Sequence, residues 1–256
     1  IFGVSVLQVV QLLPLVLNLL TIVCFVLLAS ELTRDRVELL LCSGIFSVVF
    51  QVYQWTAKGG GLSRSPGFLF TLLSLWFLLL YQRKGANYYL AFAAAALGFV
   101  FMSHLEWALI AVASIFIFVL IKGRGGLKKR IYDLLILGMG AALVSLPWWG
   151  TAICRFGITP FANAWNVAEI DAGQFVEKFL AGSMFSINVL TVEDYFLPLL
   201  GMIGFISALF YRRNLLLPVW LLATYLVAPK NSPISGLAQL IILIAIGLRS
   251  LDDILS

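Results

Sequence analysis

Charged residues are scarce in this sequence. Asp, Glu, Lys and Arg make up 11% of the 256 residues, whereas 62% are hydrophobic. Soluble domains carry about 25% charged residues and about 45–50% apolar ones. The scarcity excludes a soluble globular domain and predicts a multi-pass protein of the cell membrane. The net charge of +5 does not indicate a nucleic-acid partner, because the basic residues lie in short links between apolar runs.

Histidine and cysteine are rare as well, with one histidine and three cysteines in the chain. Cys24 and Cys42 fall inside apolar runs and Cys154 lies outside them. Their spacing indicates neither a disulfide framework nor a metal site, so we interpret them as inert packing residues. An initiator methionine and the charged start of a signal peptide are also missing. These absences predict that residues 1–256 form one membrane domain that belongs to a longer protein.

The apolar runs predict nine membrane spans and an all-α polytopic fold. The spans fall at about residues 14–30, 37–55, 66–82, 131–149, 195–211, 214–228 and 233–249, with two more in the run 86–121. Ser65-Pro66 predicts the N-cap and first residue of the third span. Residues 150–194 are too polar to span and predict an outer loop with short amphipathic helices on the membrane surface.

Three smaller features predict how individual helices begin and pack. Glu38 and Asp133 lie near helix starts, where a negative charge is favourable, and are interpreted as caps. The sixth span contains small residues that allow helices to pack closely in lipid. These small residues are Gly138, Gly140, Ala141 and Ala142.

The only histidine lies in Met102-Ser103-His104-Leu105-Glu106-Trp107, which interrupts the apolar run 86–121. One helix over that run would be roughly 50 Å long, too long for a hydrocarbon core of about 30 Å. Two helices that cross and return fit better, with His104 and Glu106 at their apex. Ionisable groups at that depth must face protein or water. The two residues are therefore candidate site residues, and a polar turn in an ordinary hairpin is the equal alternative.

The basic residues are divided unequally between alternate links. Twelve lie on one side: Arg34, Arg36, Arg83, Lys84, Lys122, Arg124, Lys128, Lys129, Arg130, Arg212, Arg213 and Arg249. Five lie on the other: Lys58, Arg64, Arg155, Lys178 and Lys230. Because cytoplasmic loops carry an excess of Lys and Arg, the first side is predicted to be cytoplasmic. All candidate site residues then share the outer face.

The link before the third span has the ingredients of an anion site. Its three consecutive glycines can point backbone N–H groups inward, a helix start is partially positive, and an arginine adds a bidentate donor. A phosphate at the membrane surface would suit this arrangement. A plain turn, with cations that contact lipid headgroups, is the alternative. The candidate phosphate-binding residues are Lys58, Gly59, Gly60, Gly61, Ser63, Arg64, Arg155 and Lys230.

Glu106 is the acidic residue available on the outer face in this half of the chain. It could act as a general base, pair with Arg64 or orient His104. With His104 it offers at most two metal ligands, so neither a metal nor another cofactor is predicted.

Several motifs together resemble bacterial and archaeal membrane glycosyltransferases of the GT-C class, related to the aminoarabinose and protein O-mannosyl transferases. They are Leu13-Pro14, Leu28-Ala29-Ser30-Glu31-Leu32-Thr33, Gly59-Gly60-Gly61-Leu62-Ser63-Arg64-Ser65-Pro66-Gly67, Ser103-His104-Leu105-Glu106-Trp107 and Pro147-Trp148-Trp149. The resemblance covers most of the chain. Such relatives tend to read His-Pro-Glu at the apex and Asp-Pro-Arg in the late outer loop. This chain has Leu105 and Ala228-Pro229-Lys230 at those places.

The resemblance implies a polyprenyl-phosphate-linked sugar as donor, membrane lipids as surroundings and transfer on the extracytoplasmic face. It also implies a catalytic acid in a first outer loop that no residue here matches. Glu106 and His104 are thus the catalytic candidates of this chain. A transporter or lipid flippase with an outer-facing cavity is the alternative. Transporters typically show repeats and mid-membrane ionisable residues, and neither is visible, which favours the enzyme.

Overall fold

The computed structural model describes residues 6–49, 63–159, 196–210, 215–228 and 232–255, together with 173, 176, 177, 187–189 and 192–194. Ten helices and two strands lie in these ranges. They are α1 (Val6–Leu32), α2 (Arg36–Val48), α3 (Arg64–Lys84), α4 (Asn87–Ser103), α5 (Leu105–Lys122), α6 (Leu127–Phe156), β1 (Ile187–Val189), β2 (Val192–Asp194), α7 (Phe196–Phe210), α8 (Leu216–Val227), α9 (Ser232–Ser235) and α10 (Leu237–Leu255).

The predicted all-α polytopic membrane fold is confirmed. Within the described ranges, nine helices of twelve or more residues follow the nine predicted spans in order. In the part of the chain that the structure describes, four helical segments are long and apolar enough to cross a membrane. These segments are Leu12–Leu32, Arg64–Lys84, Leu105–Lys122 and Leu127–Phe156. The total number of crossings stays a prediction, because several of the other helices are shorter.

The bundle is apolar inside and outside, which suits a protein surrounded by lipid tails. Residues 240–245 of α10 are fully buried, so this helix is enclosed on all sides. On the outer surface, large apolar side chains such as Leu40 and Leu143 are 72% and 70% exposed. Apolar exposure on this scale would be unfavourable in water and is neutral in a hydrocarbon phase.

Small residues bring pairs of helices into backbone contact. A Cβ on Gly140 would lie 2.8 Å from the Cβ of Ala94, so α6 packs tightly on α4 there. Ala141 is buried at the same interface, as the small-residue pattern predicted. Gly138 and Ala142 instead face outward. Two of the four small residues therefore pack against another helix as predicted, and the other two lie on the exposed side of α6.

The helix ends differ from the prediction at two places. Helix α3 begins at Arg64, so Ser65 and Pro66 lie inside its first turn rather than at the N-cap and first position. Proline is tolerated there because the first backbone N–H groups of a helix have no intrahelical partner. Helix α6 continues through Pro147 to Phe156 and ends at Gly157, whose φ of 71° suits a helix terminus.

The longer α6 changes the predicted outer loop. Cys154, expected outside the helices, lies exposed in the last turns of α6. Most of residues 160–186, including the predicted amphipathic helices, fall outside the described ranges. In the described part of the loop, β1 and β2 pair as a short antiparallel hairpin with Val189 opposite Val192. This hairpin was not predicted.

Of the two acids interpreted as helix caps, one caps a helix and one does not. Glu38 accepts a hydrogen bond from the backbone N–H of Arg34, while Asp35 accepts one from that of Glu38. Asp35 is thus the N-cap of α2, and Glu38 in its first turn reaches back to the residue before the N-cap, an arrangement close to a capping box. Asp133 instead lies inside α6, buried, and accepts hydrogen bonds from Tyr81 and Lys129. The prediction for Asp133 was wrong because α3, which carries Tyr81, packs over it.

Contacts between the ends of helices place several links at one end of the bundle. Arg83 pairs with Glu31 at 3.0 Å, which joins the ends of α3 and α1. Lys129 donates to the Tyr81 hydroxyl at 2.6 Å, which joins α6 to α3. We call this end, made of residues 31–36, 83–86, 122–130 and 249, the basic end. Among the described helices, α3, α4 and α5 run between the basic end and an opposite end that contains His104.

Candidate functional site

His104 is the single residue between α4 and α5. Its backbone is extended, with φ −158° and ψ 123°. The His104 N–H donates to the carbonyl of Val100, and its carbonyl accepts from the N–H of Ala108. His104 therefore ends one helix and begins the next, so the reversal takes one residue. The predicted break at this position is confirmed.

Arg64 and His104 meet across the gap between α3 and this turn. The Nε–H of Arg64 donates a hydrogen bond to Nε2 of His104 at 3.3 Å. An imidazole nitrogen that accepts carries no proton, so the neutral ring holds its proton on Nδ1. Nδ1 is buried and has no hydrogen-bond partner among the residues that the structure describes.

The surroundings of His104 keep its ring neutral. Burial is the main influence and lowers the pKa of His104, since the charged ring loses hydration. The positive charge of Arg64 lowers this pKa further, while the negative charge of Glu106 opposes both by raising it. The net shift is downward from 6.5, so the imidazole is neutral at pH 7. A neutral ring can accept the hydrogen bond from Arg64.

Glu106 lies in the first turn of α5 and is half-buried. A negative charge at a helix start is stabilised by the partial positive charge of the backbone there. Only Leu105 separates it from His104 in the chain, and its negative charge raises the pKa of His104. A cation, a neutral imidazole and a carboxylate thus occupy the same end of the bundle.

Trp107 positions these groups by holding α5 against α3. Its ring stacks on Phe68 at 4.7 Å with an angle of 25° between the planes, and it is almost fully buried. A Cβ on Gly67 would lie 3.0 Å from the Trp107 Cβ, so a larger residue there would require Trp107 to shift by a few tenths of an ångström. This contact was not predicted from the sequence. Trp107 directly follows the predicted site residue Glu106, and Gly67 lies near the start of α3 with Arg64.

An aromatic row extends from Phe68 into the first two helices. Phe46 of α2 lies 6.2 Å from Phe68, and Phe25 of α1 stacks on Phe46 at 3.8 Å. Such ring pairs contribute about 0.5–1.5 kcal/mol each beyond the area they bury. The row connects α1, α2, α3 and α5 through ring contacts. Phe68 near the start of α3 therefore packs against both α2 and α5.

The remaining predicted site residues are not joined to this group by the described contacts. Ser63 is exposed just before α3 and makes no capping hydrogen bond. Arg155 is exposed in the last turn of α6, without a hydrogen bond or ion pair to any residue that the structure describes. The others lie outside the described ranges: Lys58, Gly59, Gly60, Gly61 and Lys230.

Metal ligands do not cluster in the described part of the chain. No group of three or more His, Cys, Asp or Glu side chains is found there. The chemistry that the site offers is therefore that of a cation, a hydrogen-bonding imidazole and a carboxylate.

Residues 1–149 match the model of the dolichyl-phosphate-mannose-protein mannosyltransferase family. The matched region is more than half of the chain and contains Arg64, His104 and Glu106. The chain belongs to this family. It is thus a GT-C-type membrane protein of a glycosyltransferase family that uses lipid-linked sugar donors. A search of curated proteins found no significant match.

Proposed function

We propose that the protein transfers a sugar from a polyprenyl-phosphate donor on the extracytoplasmic face, and that the donor phosphate binds at Arg64. The observation that carries this proposal is the hydrogen bond from Arg64 to His104, inside the region that matches the family. A guanidinium presents its N–H groups in a fixed fork that suits phosphate oxygens. The start of α3 adds the partial positive charge of a helix N-terminus.

His104 acts in this proposal as a positioning residue. Its Nε2 atom accepts from the Arg64 Nε–H, which holds the plane of the guanidinium. A protonated ring could not accept this bond and would repel the cation, so the lowered pKa of His104 keeps the pair intact at pH 7. A fixed arginine loses less conformational entropy when a phosphate binds, which favours donor binding.

The proposed reaction is displacement at the anomeric carbon of the sugar. An acceptor oxygen attacks this carbon, and the bond from the carbon to the phosphate oxygen breaks. The electron pair leaves with the polyprenyl phosphate, whose charge is stabilised by Arg64. The proton of the acceptor passes to a carboxylate, for which Glu106 is the candidate in this chain. Lys58, Lys230, Arg155 and the three glycines are proposed as further phosphate contacts.

The test uses membranes that contain the protein, a fluorescent polyprenyl phosphate for binding and a mannose-carrying polyprenyl phosphate for transfer. We expect Arg64→Ala to weaken binding of the probe about 10- to 100-fold, because a charged hydrogen-bond pair is lost. His104→Gln, which keeps an acceptor for Arg64, should retain more binding than His104→Ala. Glu106→Gln should bind the probe normally and transfer little sugar.

Arg36→Ala is the matched control, since Arg36 is an exposed cation at the basic end. It should bind and transfer like the unchanged protein. If Arg64→Ala binds the probe as well as this control does, the phosphate does not bind at Arg64. Donor that reaches the opposite leaflet with its sugar–phosphate bond intact would instead support a flippase.

A further inference from the structure

The basic end carries more Lys and Arg side chains than its acidic side chains can neutralise. Seven cations lie in the last turns of α3 and α5, in the α5–α6 link or in the first turn of α6: Arg83, Lys84, Lys122, Arg124, Lys128, Lys129 and Arg130. Between residues 83 and 133 there are two acids, Glu106 at the far end and Asp133. Asp133 is already paired with Lys129, and Arg83 with Glu31.

Two more of these cations are occupied within the protein. Lys84 donates to the hydroxyl of Tyr89 at 3.0 Å. Arg130 donates to the carbonyl of Leu120 at 2.5 Å, near the end of α5. The remaining three cations, Lys122, Arg124 and Lys128, are exposed. They make no hydrogen bond or ion pair with any residue in the described ranges.

Arg124 lies where the two links touch, with Lys122 at the end of α5 before it and Lys128 in the first turn of α6 after it. The guanidinium of Arg124 packs against Gly85, so that any Cβ at that position would collide with it. Gly85 has a φ of 80°, a left-handed conformation that favours glycine and turns the chain from α3 into α4. The contact places the α3–α4 link beside the α5–α6 connection, which carries the three exposed cations. We call Lys122, Arg124 and Lys128 the cation triplet.

Apolar side chains border the triplet directly. Leu127 precedes Lys128 and is 66% exposed, and Ile131 and Tyr132 on the next turn are 49% and 61% exposed. On the α4 side, Tyr88 is 56% exposed. Tyrosines at this level are typical of the boundary between lipid headgroups and acyl chains. Charge at the tip and apolar surface behind it match the two parts of a phospholipid.

We propose that the cation triplet binds the headgroup phosphate of an anionic phospholipid, with the acyl chains along the exposed face of α6 at Leu127 and Ile131. Clusters of cations next to a membrane-spanning helix attract such headgroups. The apolar border favours a lipid over a free phosphate ion, which would gain nothing from Leu127. The site lies at the opposite end of the bundle from Arg64 and does not depend on the proposed sugar transfer.

The test is native mass spectrometry of the purified protein with phosphatidylglycerol and phosphatidylcholine of identical acyl chains. The unchanged protein should retain phosphatidylglycerol preferentially. The double variant Lys122→Gln/Lys128→Gln should lower that preference about tenfold or more, since two cations near the headgroup are removed. Arg124→Gln alone should lower it by a smaller factor. Both variants change exposed side chains, and a thermal unfolding curve checks that they are folded.

The matched control is Arg34→Gln/Arg36→Gln, which removes two exposed cations from the α1–α2 link at the same end. Its preference should stay within about twofold of that of the unchanged protein, because the proposal assigns the headgroup to the triplet and not to this link. An equal loss in both double variants would mean that overall charge, and not this site, selects the lipid. Displacement of the lipid by inorganic phosphate would show a free-anion site, and lack of any preference would also overturn the proposal.

Discussion

His104 accepts a hydrogen bond from Arg64 and feels the charge of Glu106, so its protonation depends on two neighbours as well as on burial. The three influences do not have the same sign. Burial and Arg64 lower the pKa of His104, whereas Glu106 raises it. Substitution of Arg64 and substitution of Glu106 should therefore move the pKa of His104 in opposite directions. A general loss of structure would instead move it in the same direction in both variants.

Because His104 is the only histidine in the chain, its imidazole can be followed alone by nitrogen-15 NMR during a pH titration. We expect a pKa below 6.5 and a neutral form protonated on Nδ1. Arg64→Ala should raise the pKa of His104, since a nearby positive charge is lost. Glu106→Gln should lower it, since a nearby negative charge is lost. Shifts in the same direction for both variants would contradict the arrangement described for this site.

At the scale of helices, the site depends on how closely α3 approaches α5. Gly67 and Trp107 set that distance, and the stacked Phe68 holds the indole from the other side. Arg64 begins the same helix as Gly67, while His104 directly precedes the helix of Trp107. A change in the packing of these two helices would therefore also move the two polar side chains that they carry.

Gly67→Ala is expected to lower the free energy of unfolding by about 1–3 kcal/mol, because the new methyl group forces the indole away. It should also weaken the Arg64–His104 contact and move the His104 NMR signals. The matched control is Gly138→Ala, also in a helix, where a new Cβ would meet nothing within 4 Å. Thermal unfolding in lipid nanodiscs measures both variants, and equal stability of the two would show that Gly67 is not a close approach.

For the whole molecule, the ion pairs at the basic end collect links that are far apart in sequence. Arg249 near the end of α10 lies 3.8 Å from Asp35 between α1 and α2, and Arg83 pairs with Glu31. These contacts agree with a chain that alternates between two ends. The prediction that the basic end faces the cytoplasm rests on the excess of twelve basic residues over five.

Cysteine labelling in intact cells tests this orientation. With Cys24 and Cys42 replaced by Ala, an impermeant maleimide should label the exposed Cys154 at the end of α6. With all three native cysteines replaced, a cysteine introduced by Gly126→Cys should be protected until the cells are opened. Residue 126 lies at the basic end, and Cys154 lies beyond Trp149 on the same helix. Labelling of residue 126 in intact cells would reverse the predicted topology.

The sequence alone was sufficient for the class of fold, the order of the helices and the break at His104. Run lengths and the thickness of a membrane limit where an apolar chain can turn, and ionisable residues are unfavourable between the turns. Residues 102–107 and the basic links could therefore be located without a structure. The roles of Arg64, His104 and Glu106 in donor binding and catalysis stay predictions.

The tertiary structure alone determined which side chains meet. Arg64 and His104 are 40 residues apart, and no local pattern states how their helices are rotated about their axes. The rotation of α6 about its own axis buries Asp133 against Tyr81, so Asp133 is not a cap. It also turns Gly140 inward and Gly138 outward. In a chain with 62% hydrophobic residues, most helix faces look equally apolar. The helix rotations are therefore set by shape, through close approaches such as Gly67 on Trp107, and not by the hydrophobic pattern.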